Sequence, residues 1–236
     1  MTNRESLRGV YDRICRTLPP VAGVAQGAMV LVDTMIKDME VDAMKRVLQP
    51  KVVGSINLDE LFSAERPLDF FIFFSSATCV TGNIGQSNYA AANMFMTGLA
   101  ANRKRRGLAG SVMNIGAIMG VGYVTRETSE ALQRNLLKSG HVWMSEKDFH
   151  TIFAEAILAG TPGSDANVEI TCGLRITNAS EEQRPLWSFN PRFQHLVVME
   201  DRVEETDEQD KKGMSLKLQL REARTAEDIY EAVKGK

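Results

Sequence analysis

The chain has 236 residues, of which 44% are hydrophobic and 25% are charged, a composition typical of a folded globular protein. The formal net charge of -2 excludes a global attraction to nucleic acid or anionic lipid. Three scattered cysteines argue against a disulfide framework or a zinc ribbon, and no apolar segment reaches the ~20 residues of a membrane helix. We therefore expect a cytoplasmic protein without nucleic-acid or membrane partners.

The first half of the chain predicts helices and strands in alternation. Residues 4–17 are predicted to form a helix that ends before two consecutive prolines, because proline cannot continue a helix. Residues 21–28 predict a buried strand that runs into a turn of small residues. Apolar residues at helical spacing predict a second helix over 42–62, which Pro50 should kink or split. The segment LDFFIFFS, with the unbroken apolar run FFIFF, predicts a strand over 68–75 that is covered on both faces.

The second half continues this alternation. An alanine-rich helix is predicted over 88–106, where a cluster of basic residues followed by glycine marks its end. Residues 111–118 predict a strand, residues 146–159 a helix and residues 168–174 a last strand. Strands that alternate with helices indicate an α/β fold, with a Rossmann-like parallel sheet and helices on both of its faces.

A change in composition near residue 199 divides the chain. We expect one folded domain over 1–199. Residues 200–214 contain hardly any apolar side chains and predict an acidic, disordered linker. An amphipathic pattern returns over 215–236, which predicts the start of a further helical segment.

The chemically informative segment is FFSSATCVTGNIGQSNYAAAN, which covers residues 73–93. A buried strand ends in Ser76, a loop with two glycines follows, and Tyr89 opens a helix. Open α/β sheets bind ligands just past the carboxyl ends of their strands, and the loop can fold Tyr89 back over this strand end. Asn93 lies one helical turn after Tyr89 and shares its face. Ser75 is the alternative serine, although the alternation of strand side chains predicts that it faces away from Ser76.

A hydroxyl, a phenol and an amide in this arrangement suit the reduction of a ketone. A phenol with an unperturbed pKa of about 10 is a poor acid or base at neutral pH, but a nearby ammonium favours the phenolate and lowers that pKa. A serine hydroxyl can hold the carbonyl oxygen while the phenol protonates it. No side chain donates a hydride, so a nicotinamide cofactor must supply it. The three histidines lack ligand spacing, and we expect no metal site.

The lysine that should accompany the tyrosine is displaced. Asn93 stands four residues after Tyr89, where the ordinary short-chain dehydrogenase pattern YxxxK has its lysine, and the best candidate is Lys51 in the preceding helix. This set resembles the ketoreductase domains of polyketide synthases and animal-type fatty acid synthases. The fungal highly reducing version is similar over four stretches: LPPVAGVAQGAMVLVD, VLQPKVVGSINLDELF, LDFFIFFSSATCVTGNIGQSNYAAANMFM and GLAGSVMNIGAIMGVGYV. The resemblance covers residues 5–200.

The resemblance implies a role for each residue of the set. Tyr89 is the general acid, and Ser76 orients the keto oxygen. Lys51 holds the nicotinamide ribose and lowers the pKa of Tyr89. Asn93 supports the lysine and a proton relay.

The resemblance also implies the cofactor and the partners. The cofactor is NADPH, and the residues that line it, besides Lys51 and Tyr89, are Gln26, Gly27, Ala28, Ile115, Gly116 and Ile118. The substrate is a β-ketoacyl thioester that an acyl carrier holds through phosphopantetheine, and the product is the β-hydroxyacyl form. The last segment, over 215–236, resembles the lead-in to an acyl-carrier domain. The stereochemistry of the alcohol and the chain length stay open.

One part of the family pattern is missing. In that family a glycine-rich turn after the first strand, far upstream of these motifs, holds the cofactor phosphates, and a tyrosine at position 89 leaves too little chain for it. We therefore expect the N-terminal strands and the phosphate-binding loop to be absent, and the strand over 21–28 to expose an edge that invites pairing. Two interpretations stay open. The chain is a ketoreductase within the remainder of a polyketide synthase, or it is an inactive fragment that needs a separate nucleotide-binding half.

Overall fold

The computed structural model describes residues 1–121, 125–126 and 128–199. The helices are α1 (Arg4–Thr17), α2 (Val41–Leu48), α3 (Gly54–Leu61), α4 (Ala77–Thr81), α5 (Ser87–Arg105), α6 (Glu130–Lys138) and α7 (Glu146–Gly160). The strands are β1 (Gly23–Gln26), β2 (Phe70–Ser76), β3 (Ser111–Ile115), β4 (Ala117–Ile118), β5 (Trp143–Met144), β6 (Glu169–Thr171), β7 (Thr177–Asn178) and β8 (Val197–Val198). The linker and the further helical segment predicted over 200–236 lie outside the described residues.

Strands β1, β2, β3 and β6 form one parallel sheet in that order. Helices α2 and α3 connect β1 to β2, α5 connects β2 to β3, and α7 lies between β3 and β6. Parallel neighbours need such crossover connections. The predicted α/β fold with a Rossmann-like parallel sheet is therefore confirmed, and the carboxyl ends of these strands meet at one edge of the sheet.

Side chains that alternate along β2 pack into two separate core layers. Phe71 and Phe73 lie in a cluster with Met96 of α5 and residues of α3. Ile72 points to the opposite face and packs with Ala156 of α7. Each fully buried side chain of this size stabilises the fold by ~1.5–3 kcal/mol. The run FFIFF over residues 70–74 is apolar throughout because helices cover both faces of the strand, as predicted.

Pro50 disturbs the helix predicted over 42–62, as expected, by widening one turn. Residues Gln49–Val53 form a π-helical turn between α2 and α3, in which the Gly54 N–H donates to the Gln49 carbonyl. Proline has no N–H of its own and clashes with the regular α-helical ladder, and a wider turn accommodates it. This turn buries Lys51, whose exposed fraction is 2%.

The strand predicted over 111–118 is wrong in its second half, because the chain leaves the sheet at Gly116. β3 ends at Ile115, and β4 pairs instead with β5 in a separate two-stranded sheet. A Cβ atom at Gly116 would lie 2.7 Å from the Cα atom of Gly173, a distance that no side chain tolerates. The two backbones can approach this closely only because both positions are glycine.

A buried arginine ties α5 to α3. The guanidinium of Arg103, 1% exposed, donates to Asp59 and to the Phe62 carbonyl and lies 4.1 Å from the ring centroid of Phe71. Arg106 donates to the same carboxylate. Asp59 therefore balances a cation that has no access to water.

We expect Asp59→Asn to destabilise the chain by about 3 kcal/mol, because it leaves a buried guanidinium without its counter-charge. Urea unfolding of the chain, followed by circular dichroism, measures the loss. Glu60→Gln removes the same charge one residue further on, where the pair with Arg4 is exposed, and should cost less than ~0.5 kcal/mol. Equal losses in the two variants would contradict the importance of the buried pair.

Candidate active site

A cavity of about 420 Å³ lies at the carboxyl ends of β1, β2 and β3. Sheets of this type bind ligands at this edge. Seven of the residues predicted for the site line the cavity together: Gly27, Lys51, Ser76, Tyr89, Ile115, Gly116 and Ile118. The chain thus brings the predicted lysine, serine and tyrosine to the wall of one cavity, although they come from three different elements.

Lys51 reaches this wall from the π-helical turn. Its Nζ atom donates to the Phe74 carbonyl at 2.8 Å and lies 5.4 Å from the ring centroid of Tyr89. Burial lowers the pKa of Lys51 from its ordinary value of 10.5 to about 8, because a low dielectric disfavours the ammonium. At neutral pH the side chain is still mostly charged, so a cation lies over the phenol ring.

Tyr89 lies in the first turn of α5, with an exposed fraction of 7%. Its Oη atom donates to the Met29 Sδ atom at 3.8 Å. Burial is the main cause that raises the pKa of Tyr89 to about 12. The pKa moves opposite to the direction predicted from Lys51, because burial disfavours the phenolate and the Lys51 ammonium lies over the ring, 5.4 Å from its centroid. The phenol therefore holds its proton at neutral pH.

Ser76 ends β2 and caps α4. Its Oγ atom accepts from the Thr78 N–H at 3.3 Å and lies 2.8 Å from the Thr78 hydroxyl. Ser75 also contributes to the cavity wall, and its Oγ atom is buried without a hydrogen-bond partner in the described part of the chain. The two serines therefore differ: the Ser76 hydroxyl is paired with Thr78, and the Ser75 hydroxyl has no partner among the described residues.

Three predicted residues do not line the cavity: Gln26, Ala28 and Asn93. The Gln26 side chain accepts from the Ala28 N–H at 3.0 Å and donates to the Pro50 carbonyl at 2.9 Å. It thereby fixes the turn that carries Lys51. Asn93 donates to the Tyr89 carbonyl at 2.8 Å, so its amide braces the first turn of α5. These side chains support the cavity from behind its wall.

The sequence profile of the KR domain matches residues 1–120, about half of the chain. The chain belongs to the KR-domain family. A hybrid PKS-NRPS synthetase of Penicillium oxalicum is 92% identical over 99% of this chain. A polyketide synthase-nonribosomal peptide synthetase of Phaeosphaeria nodorum is 49% identical over 99% of this chain. The chain spans about 6% of the length of these relatives.

Solved ketoreductases share the fold of this KR domain. A ketoreductase domain from the bacillaene assembly line is 30% identical, with a TM-score of 0.61 over 72% of this chain and 40% of its own. An A-type ketoreductase from a modular polyketide synthase is 25% identical, with a TM-score of 0.63 over 73% of this chain and 34% of its own. The resemblance to polyketide synthase ketoreductases is confirmed.

Sequence reasoning missed the apolar side of the cavity in this KR domain. Met29 and Leu31 line it from the irregular segment after β1, and Ile84 lines it from the loop before α5. Leu132 and Leu136 line it from α6, a helix that was not predicted. Two leucines four residues apart after the capping Ser129 were the signal that could have found α6.

The described part of the KR domain contains neither a candidate membrane-spanning helix nor a candidate metal site. Across these residues no helix combines the length and the apolar character that crossing a bilayer requires. Within the same ranges, no three side chains of the His, Cys, Asp or Glu type are grouped to hold a metal ion.

Proposed function

We propose that this KR domain reduces the β-keto group of a polyketide acyl thioester to a β-hydroxyl group, with NADPH as the hydride donor and an acyl carrier as the holder of the substrate. The observation that carries the proposal is that Lys51, Ser76 and Tyr89 all line one cavity at the carboxyl edge of the sheet. The membership in the KR-domain family supports the same reaction class.

The chemistry of Lys51 suits a nicotinamide nucleotide. An ammonium group has three donors, and among the described residues Nζ donates to the Phe74 carbonyl alone. Lys51 lines the cavity, so its remaining donors can bind a ribose hydroxyl there. When it is bound, NADPH supplies the hydride, which no side chain can give.

The protein's own contribution is to hold the ketone and deliver a proton. The Ser76 hydroxyl donates a hydrogen bond to the keto oxygen and fixes its position. As the carbonyl carbon takes up the hydride, the Tyr89 Oη–H bond breaks and the proton moves to that oxygen, which becomes the alcohol. The ammonium of Lys51 over the ring stabilises the negative charge left on the phenol.

The apolar wall of the cavity suits an acyl chain. Leu31, Ile84, Ile118, Leu132 and Leu136 contribute side chains to it. The lining also contains a few polar side chains, Lys51, Ser76 and Tyr89 among them. A cavity that is mostly apolar with a few convergent polar groups is typical of a site that binds a hydrophobic chain and positions one functional group.

A second candidate is a half-site that needs a separate nucleotide-binding half. Strand β1 pairs with β2 on one side, and among the described residues no strand pairs with its other edge. An unpaired edge is a template for another strand. The chain also spans only 34–40% of the solved ketoreductases. The open edge of β1 favours a further strand that completes the sheet.

The test uses an exchanged synthetase: the Penicillium oxalicum synthetase in which this chain replaces the synthetase's 92% identical segment. It compares this exchanged synthetase with the chain by itself. Each is titrated with NADPH and supplied with a β-ketoacyl thioester. We expect ketone reduction by the exchanged synthetase, and at least ~100-fold weaker NADPH binding without turnover by the chain alone, because the phosphate contacts are lost.

Each outcome decides one of the two candidates. An exchanged synthetase that is folded but does not reduce the thioester, while the unmodified synthetase does, would overturn the proposed reaction. Micromolar NADPH binding with turnover by the chain alone would overturn the half-site.

A further inference from the structure

The Met29 side chain accepts the hydrogen bond of the catalytic phenol of Tyr89. The Tyr89 Oη atom donates to the Met29 Sδ atom at 3.8 Å. Among the described residues, this sulfur is the acceptor of the phenol's hydrogen bond. Met29 lines the same cavity and is 38% exposed. The hydroxyl that must meet the substrate oxygen is therefore engaged by a side chain of the protein.

The backbone around Met29 is fixed relative to Tyr89. Hydrogen bonds of 2.9–3.0 Å join the segment after β1 to the loop and first turn that carry the tyrosine, and they run from Asn88 Nδ2 to the Val32 carbonyl, from the Thr34 N–H to the Gly85 carbonyl, and from Gln86 Nε2 to Asp33 Oδ2. The methionine side chain is unbranched and flexible. It can therefore leave the phenol while its backbone stays in place.

We propose that Met29 is a specificity-determining residue. Its sulfur accepts the Tyr89 hydrogen bond that the substrate's carbonyl oxygen later accepts, until a ketone displaces the sulfur. The inference rests on the proposed function. A thioether sulfur is a weak acceptor, so a ketone oxygen gains by replacing it. A part of the acyl chain that is already hydrocarbon offers no acceptor and gains nothing. The contact thus reserves the acid for carbonyl groups.

The strength of the acceptor at position 29 should then set the apparent affinity for the ketone. Met29→Leu keeps the length and apolar character without an acceptor, and Met29→Gln places an amide oxygen, a stronger acceptor, at a similar distance. In the exchanged synthetase we expect the KM for the β-ketoacyl thioester to fall by about 3-fold in Met29→Leu and to rise by about 10-fold in Met29→Gln, with kcat within about 2-fold of wild type.

Oxidation changes the acceptor in the wild-type chain without a substitution. Hydrogen peroxide transfers one oxygen to the sulfur: the sulfur lone pair forms the S–O bond, the O–O bond breaks, and water leaves, so that sulfur is oxidised by two electrons and the peroxide is reduced. The sulfoxide oxygen is a stronger acceptor than the sulfur. We expect KM to rise in step with the fraction of Met29 oxidised, measured by peptide mass spectrometry, and a methionine sulfoxide reductase to reverse the rise.

Controls separate this contact from general effects of methionine. Met35→Leu changes an exposed methionine of the same segment that does not line the cavity, and it should leave KM, kcat and the peroxide response as in wild type. Met29→Leu should lose the peroxide response. Thermal unfolding of each variant confirms that it is folded.

The results decide the inference independently of the proposed function. If the exchanged synthetase reduces ketones but KM is the same with leucine, methionine and glutamine at position 29, the inference is wrong and the proposed function stands. A peroxide response that persists in Met29→Leu would also overturn it. If the folded wild-type protein reduces no ketone, the proposed function fails first.

Discussion

Replacing Tyr89 by phenylalanine should lower kcat for ketone reduction by about 1,000-fold in the exchanged synthetase. The substitution removes the hydroxyl that we propose delivers the proton to the keto oxygen, and general acid catalysis contributes a factor of ~10²–10⁴. The hydroxyl's hydrogen bond in the described structure goes to a weak sulfur acceptor, so its loss should change the free energy of unfolding by less than ~1 kcal/mol. Steady-state kinetics with saturating NADPH measure the effect.

Tyr11→Phe is the matched control for this loss. Tyr11 lies in α1 and packs edge-to-face on Phe62, with ring centroids 5.4 Å apart, away from the residues that line the cavity. Its loss of a hydroxyl should leave kcat unchanged. Unchanged reduction by the Tyr89→Phe protein would remove the proposed acid, and an equal loss in both variants would point to damage to the fold.

The strand ends were predictable because one physical rule governs them. The unbroken apolar run before Ser76 predicts a strand buried on both faces, and the structure has β2 there. The polar residues just past it had to reach the carboxyl edge of a parallel sheet. The spacing of 13 residues lets the chain fold Tyr89 back over this strand end, and in the structure α4 and the loop before α5 bring it to the same cavity. Sequence alone therefore predicts the meeting of Ser76 and Tyr89.

The rest of the site depends on tertiary contacts that no local pattern encodes. Lys51 is buried because Pro50 widens one turn, and the Gln26 side chain fixes that turn from β1; neither effect is visible in the sequence spacing. The break of the predicted last-but-one strand depends on Gly116 meeting Gly173, which is distant in the chain. The direction of the Tyr89 pKa shift depends on how deeply the ring is buried, and composition does not give that depth.

The pKa of Lys51 should set the upper limit of activity in pH. With its pKa lowered to about 8 by burial, the ammonium loses its proton as the pH rises through about 8, and the phenolate left after proton transfer loses its counter-charge. Tyr89, with a pKa raised to about 12, stays protonated over this range. We therefore expect kcat/KM, which reports the pKa values of the free enzyme, to fall above pH 8 with the loss of one proton.

Replacing Lys51 by methionine should inactivate the site and stabilise the fold. Without the ammonium we expect kcat to fall by at least ~100-fold, and the descending limb above pH 8 should disappear from the residual activity. The folded-state pKa of about 8 lies below the ordinary 10.5, so burying the charged form costs about 3 kcal/mol at pH 7. Methionine removes this cost. It also leaves the Phe74 carbonyl without its donor, and this loss cancels ~1 kcal/mol of the gain. The net gain is ~2 kcal/mol in the free energy of unfolding.

The pH dependence of that gain tests its cause. Between pH 8 and 10.5 the unfolded chain binds more protons than the folded one, so the wild-type protein gains stability as the pH rises. The gain of ~2 kcal/mol in Lys51→Met should be fully present below about pH 8. It should pass through zero as the pH rises and become a loss of ~1 kcal/mol by about pH 10.5, where only the lost hydrogen bond to the Phe74 carbonyl remains. Lys45→Met changes an exposed lysine of α2 and should shift stability by less than ~0.5 kcal/mol at any pH. If Lys51→Met unfolds more easily than wild type at pH 7, the contacts of the ammonium outweigh its desolvation, and the lysine is part of the scaffold and not a strained catalytic group.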